Sequence, residues 1–244
     1  MRYLLDGQYD NGGWSQFFPI RSGYHARITF NDDAVANVLQ LLRNVTDEEG
    51  DFAFLDPALR ARAGEALEKG IDLVLKTQVV QDGQKTIWCA QYDEVSLECA
   101  RGRSYELASL SGGESANILR FLMSFKTPSG DVVEAVNSGV AYLASQAIEG
   151  KKLVRREDAT LPFGRDRILV DDAGSVVWPR FIELGTNRPL YSNRAGDRLY
   201  NYEEVSYERR ERYSWLVTTP RDVLNEVYPA WQKRHSPNVN APNP

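Results

Sequence analysis

The chain has 244 residues, 42% hydrophobic and 26% charged, with a net charge of −5, enough to bury a full core as one large domain or two small ones. The negative balance excludes bulk attraction to nucleic acid or an anionic membrane, and no apolar run approaches the ~18 residues that a membrane helix needs. An anionic ligand must therefore be held by a local group of arginines or by a bound cation.

The first element is a helix end over Arg2–Asp6, followed by Gln8 and a polar, glycine-containing loop. The start is too short and too polar for a secretory signal. Asn31, Asp32 and Asp33 then open a helix continuing as AVANVLQLLRNV. Asn31 is the expected cap, and the two acids favour the positive end of the helix dipole. Asp56-Pro57 starts a third helix that runs to Gln78, with proline at its first position.

The connection Trp88–Ser115 packs Gln91, Asp93, Glu94, Arg101, Arg103, Tyr105 and Glu106 between two helices. A structureless loop of that length in a compact domain is usually functional. Ser111-Gly-Gly-Glu114 has capping-box spacing before SANILRFLMSF. Thr127-Pro128 opens the next helix, which ends at Gln146. After about Lys152 the sequence turns rich in Pro, Gly, Asn, Asp and Arg, with short β-prone runs, and reads as loops plus short strands. A charged helical stretch follows over Tyr202–Arg212, and a disordered tail is expected over residues 232–244.

Gln8, Gln78 and Gln146 each follow a helix end and stand 70 and 68 residues apart. This period suggests stacked helix pairs whose long connections gather at one end, the end expected to carry the site. The fold class is therefore mainly α. The first unit holds only the last turn of its leading helix, so the chain is expected to start inside a repeat, truncated at its N-terminus.

Trp14 and Trp88 follow matching glutamines. They suit either the apolar face of a sugar or packing as lids on the bundle. Asp32 and Asp33 exceed what capping needs and could supply hard oxygens to a cation such as calcium. Arg101 and Arg103 sit among carboxylates, where surface ion pairs are the plain alternative. Arg180, Arg188 and Arg194 lie in the irregular region, and arginines converging from several loops would form a carboxylate-binding cleft. Cys89 and Cys99, ten residues apart, could bridge, but two free thiols are expected. His25 and His235 cannot make a multi-histidine metal site, and no nucleophile elbow, dinucleotide fingerprint or P-loop occurs.

The segments GGWSQFFP, GYHARITFNDDA, WCAQYDEVSLECARGRSYELASLSGGES, WPRFIELGTNRPLYSNRAG and YSWL…YPAW, in that order over residues 3–231, resemble the pectate lyases of polysaccharide lyase family 10. The resemblance implies an α/α-toroid-like bundle with a substrate cleft, a catalytic domain over 1–231, and calcium as cofactor. It implies calcium-dependent anti β-elimination of polygalacturonate to 4,5-unsaturated oligogalacturonates by a secreted or periplasmic monomer. Carried over by position, Asp32 matches a calcium-binding aspartate, Arg103 the catalytic base and Arg188 a substrate-carboxylate arginine. With the readings above, the expected substrate contacts are Arg188, Arg180, Trp88 and Tyr105, and the expected metal ligands Asp32 and Asp33. A guanidinium gives up its proton only above about 12, so a base role requires surroundings that depress its pKa.

The family's upstream DNGAT-like motif has no counterpart before Asp32, which again predicts missing N-terminal helices and weakened activity. Two other readings stay open. One is an inactive carbohydrate-binding remnant. The other is a toroidal glycoside hydrolase using Asp93 with Glu94 or Glu106.

Overall fold

The structure, a computed structural model, describes residues 1–48 and 50–235, apart from the side chain of Asp51. The first unit comprises helix α1 (Arg2–Asp6), strand β1 (Ile28–Thr29) and helix α2 (Ala34–Thr46). The second comprises α3 (Pro57–Thr77), the hairpin β2 (Val80–Gln81) and β3 (Gln84–Lys85), β4 (Gln91–Tyr92), β5 (Leu110–Ser111) and α4 (Gly112–Met123). The third comprises α5 (Gly130–Ser145), β6 (Ile148–Glu157), β7 (Arg165–Pro179), β8 (Phe181–Ile182), α6 (Tyr207–Arg212), β9 (Leu216–Val217) and α7 (Thr219–Asp222). A π-helical turn, Val223–Val227, joins α7 to α8 (Tyr228–His235).

The helices form two layers. In one layer α1 touches α3 and α3 touches α5; in the other α2 touches α4 and α4 touches α7. Each pair buries its apolar stripe against the next, so Leu39, Leu42, Leu73, Val74, Leu119, Leu122, Val136 and Leu143 share one core. The expected helix pairs are thus present.

The repeat has an atomic basis. Gln8 Nε2 donates to Gly12 O in its own loop and to Ala66 O of α3, at 3.0 and 2.9 Å. Gln78 Nε2 donates in the same way to Thr86 O and to Ala135 O of α5, at 2.9 and 3.0 Å. Each amide ties the end of one outer helix to the middle of the next. Among the described residues the Gln146 side chain reaches only Ser145 Oγ. The tryptophans complete the pattern, for Trp14, Trp88 and Trp178 donate their indole N–H to Leu4 O, Val74 O and Leu143 O at 2.8, 2.7 and 2.8 Å. Backbone pairing repeats too: β1 joins β4, and β5 joins β8.

Several local expectations are corrected. Asn31 does not cap α2; Asp32 and Asp33 adopt left-handed backbone (φ 53° and 60°) and the helix starts at Ala34. The helix expected from Thr127-Pro128 begins at Gly130, capped by Ser129 onto Val132 N. Asp56 does cap α3, accepting from Ala58 N and Leu59 N. The region after Lys152 holds loops and the short strands β8 and β9 as expected, but also a long antiparallel hairpin that was not, with β6 and β7 of 10 and 15 residues. The charged stretch 202–212 divides into a short turn over Tyr202–Glu204 and α6. Helix α8 continues past residue 231 to His235, and the rest of the expected tail lies outside the described residues. Cys89 and Cys99 are paired in a disulfide, with Cα atoms 5.8 Å apart.

Candidate active site

The three long connections meet at one end of the helix layers because each leaves an outer helix and re-enters an inner one. Arg27 of the first bonds Asp93 and Glu94 of the second, the latter at 2.8 Å. Arg180 of the third reaches Asp32 Oδ1 and Glu114 Oε1 at 2.9 and 2.7 Å, and Tyr213 donates to Glu106 at 2.7 Å. Gly196 approaches so closely that a Cβ there would lie 2.8 Å from Ser104 O.

These connections rest on a second, aromatic core that includes Tyr105, Phe181, Tyr191, Tyr202, Tyr213 and Trp215. Its central ring is Tyr213. The guanidinium carbons of Arg103 and Arg180 lie 5.5 and 5.0 Å from its centroid, within reach of cation–π attraction. Two arginines distant in sequence therefore share one buried platform.

Arg103 is half-exposed and donates through Nη2 to Glu106 Oε1 at 2.6 Å, while its backbone N–H donates to Glu106 Oε2 at 2.9 Å. Burial raises the Glu106 pKa, but the bonds from Arg103 and Tyr213 outweigh it and leave the carboxyl below its ordinary value. The hydrogen bond from Glu106 in turn holds the Arg103 guanidinium above its ordinary value. This is the reverse of the depression that a basic arginine requires.

Arg180 is 12% exposed. Burial opposes its charge, yet Glu114, Tyr213 and Asp32 together raise its pKa. Ser111 Oγ hydrogen-bonds Glu114 side chain to side chain, so the expected capping box is instead part of this buried network. Asp32 is 69% exposed, and its Oδ2 accepts from Asn31 Nδ2 at 2.8 Å.

Asp33 departs from the expected pair of metal ligands. It lines a hollow with Asn37, Asn117 and Arg120, whereas Asp32 lines another with Trp14, Gln16 and Asn31. Burial, with Glu114 and Asp32 nearby, raises the Asp33 pKa. No group of three metal-ligating side chains forms among the described residues. As a hard, exposed oxygen donor Asp32 fits calcium; as a pair, Asp32 and Asp33 do not.

Trp88 and Tyr105 are also corrected as sugar contacts. Trp88 is 1% exposed with its indole N–H committed to Val74 O, so it packs as a lid on the bundle, as does Trp14. Tyr105 is buried beneath Arg103 and Arg209, 5.2 and 4.6 Å from its ring. Asp93 and Glu94 are consumed by Arg27, and Glu106 by Arg103 and Tyr213. No two of these carboxylates are free to flank a glycosidic bond as hydrolysis requires. Arg188 is exposed at the end of β8's loop, its guanidinium 3.5 Å from the Tyr200 centroid. Arg194 pairs with Glu208 at the surface. Sequence reasoning missed Tyr213 and Tyr200, because no local pattern distinguishes a tyrosine that carries an arginine from one that fills a core.

A family model described as pectic acid lyase matches residues 1–224. The family 10 polysaccharide lyase from Cellvibrio cellulosa is 34% identical with a TM-score of 0.84, over 93% of this chain and 70% of that one. A mutant of the family 10 enzyme from the same organism, in complex with trigalacturonic acid, is 35% identical with a TM-score of 0.83, over 92% and 69% of the two chains. No curated protein matches the chain. Fold, motifs and family model agree, and the chain belongs to the pectic acid lyase family, within polysaccharide lyase family 10.

Proposed function

We propose that this pectate lyase cleaves polygalacturonate by anti β-elimination, at a site formed by Arg103, Arg180, Arg188 and Asp32. The observation that carries this reading is the convergence of Arg103 and Arg180 on Tyr213 beside Asp32, while the carboxylates considered for hydrolysis, Asp93, Glu94 and Glu106, are each taken up by an arginine. The same residue set, expected to contact a galacturonate, comes from all three connections of an α/α-toroid-like fold.

The chemistry follows from the substrate. The C5 proton lies α to a carboxylate, and removing it places negative charge on that group. Calcium, when bound, would supply a positive charge there, and Asp32 is the residue of this chain that would hold it. Arg188 and Arg180 bind the carboxylate as charged donors and stabilise the developing enolate-like charge. Arg103 is the candidate base. Arg103 in its neutral form takes the C5 proton, the C5–H electron pair becomes the C4–C5 double bond, the C4–O bond breaks, and the leaving oxygen takes a proton from water.

A second reading, a carbohydrate-binding protein with little turnover, is favoured by one observation: Glu106 holds Arg103 in its protonated form. Purified protein on polygalacturonate separates the two. Ultraviolet absorbance of the conjugated product, present with calcium and lost with chelator, supports elimination; binding without that product supports the second reading. The Cys89–Cys99 bond suits the oxidising conditions of a secreted or periplasmic protein.

A further inference from the structure

Arg103, Arg180 and Arg194 each end on a carboxylate: Glu106, Glu114 with Asp32, and Glu208. Arg188 differs. Among the described residues no carboxylate lies within salt-bridge distance of it, and its guanidinium carbon stands 3.5 Å from the centroid of the Tyr200 ring. At that separation a guanidinium packs flat on the ring. Face stacking leaves the N–H groups around the rim available to a planar anion.

Both partners of this stack are fixed by one buried residue, Glu183. Its Oε1 accepts from the Tyr200 hydroxyl at 2.9 Å and from Arg198 at 2.6 Å, and its Oε2 from Thr186 Oγ1 at 2.6 Å. Its backbone N–H donates to Arg188 O at 2.9 Å. The turn before Arg188 is pinned from the other side, since Asn187 Oδ1 accepts from Gln81 and Tyr142 at 2.8 and 2.6 Å. A flexible surface arginine loses rotamer freedom when it binds. One already held against a ring has less to lose.

We infer that Tyr200 is a positioning residue for Arg188: its ring holds the guanidinium flat, so that the free edge is pre-organised for a uronate carboxylate. This rests on the reading of Arg188 as a substrate-binding arginine. Tyr200 acts through Arg188, and its own hydroxyl is committed to Glu183.

The test is steady-state kinetics on polygalacturonate of the purified wild type and of Tyr200→Phe, Tyr200→Leu, Arg188→Ala and the Leu/Ala double variant. Thermal melts check that each variant folds. Tyr200→Phe keeps the face and should stay within about twofold in KM. Tyr200→Leu keeps bulk without a π face and should raise KM about tenfold with kcat little changed, the scale of a cation–π contact. The double variant should be no worse than Arg188→Ala, because one residue acts through the other. Additive effects, or Tyr200→Leu acting on kcat alone, would overturn the inference. An unchanged KM in Arg188→Ala would instead overturn the substrate-binding reading beneath it. Should Tyr200→Leu fail to fold, Tyr200→Met, also without a π face, takes its place: KM raised about tenfold is expected, and a KM equal to wild type in a folded variant lacking the ring would overturn the inference.

Discussion

Replacing Glu106 by glutamine tests whether Arg103 works as a base. The carboxylate is 7% exposed and accepts three bonds, from the Arg103 backbone, the Arg103 side chain and the Tyr213 hydroxyl, at 2.9, 2.6 and 2.7 Å. Glutamine keeps one acceptor oxygen but turns an NH₂ group toward a donor. At least one charge-assisted bond is lost, about 1.5–3 kcal/mol, with a further ~1 kcal/mol for a donor left unpaired. Because Arg103 is 40% exposed, solvent repays part of this, and a net loss of about 2 kcal/mol is expected in urea unfolding. The sign of the pH effect is definite. A neighbouring carboxylate favours the charged guanidinium, so removing it makes Arg103 easier to deprotonate. If Arg103 must lose its proton to act, the acid limb of the kcat/KM profile moves to lower pH in Glu106→Gln. An unmoved limb, with product still formed, would refute the assignment of that limb to Arg103. In the wild type, Glu106 has a depressed pKa. Its stabilising contribution is present above the ordinary carboxylate range and is lost as pH falls through its folded value.

Other outcomes follow from the same geometry. Arg103→Ala should abolish product formation while leaving binding of oligogalacturonate, measured by calorimetry, within about tenfold. Asp32→Ala should raise the calcium concentration needed for half-maximal activity, and Arg180→Gln should lower the calcium Kd because it removes a positive charge 2.9 Å from Asp32; unchanged titrations in both would leave Asp32 a structural residue. Gln78→Ala should cost about 2–4 kcal/mol, since it leaves the buried Thr86 carbonyl without its donor, whereas Gln146→Ala should cost less than about 0.5 kcal/mol. Reducing the Cys89–Cys99 bond opens a loop of ten-residue separation and should lower unfolding free energy by about 3 kcal/mol in the chain-entropy account.

Much of the scaffold was legible in the chain itself. Helix starts such as Asp56-Pro57 are written in adjacent residues, because a cap acts over one turn. The period carried by Gln8 and Gln78 was visible because the same amide-to-carbonyl tie recurs at nearly the same spacing. Trp178, third in the tryptophan series, was hidden because the β6–β7 hairpin is inserted between it and Gln146. The length of that hairpin escaped notice because its strands are rich in charged residues, and pairing across a turn supplies what local propensity does not.

Asp32, Arg103, Arg180 and Arg188 stand in the three long connections, where chain order puts them. The sequence could not say which of them had partners. Glu106 on Arg103, Glu114 on Arg180 and the Tyr200 ring under Arg188 are contacts across 3, 66 and 12 residues of chain. A charge's strength as base, ligand or anchor is set by its neighbours in space. Trp88 and Tyr105 show the same limit, since an aromatic residue in a polar loop is as able to fill a core as to face a sugar, and only packing decided that both are buried. Spacing along the chain determined which groups arrive at the site; tertiary contacts decided the protonation, orientation and exposure with which they arrive, because those depend on atoms that the chain brings together only on folding.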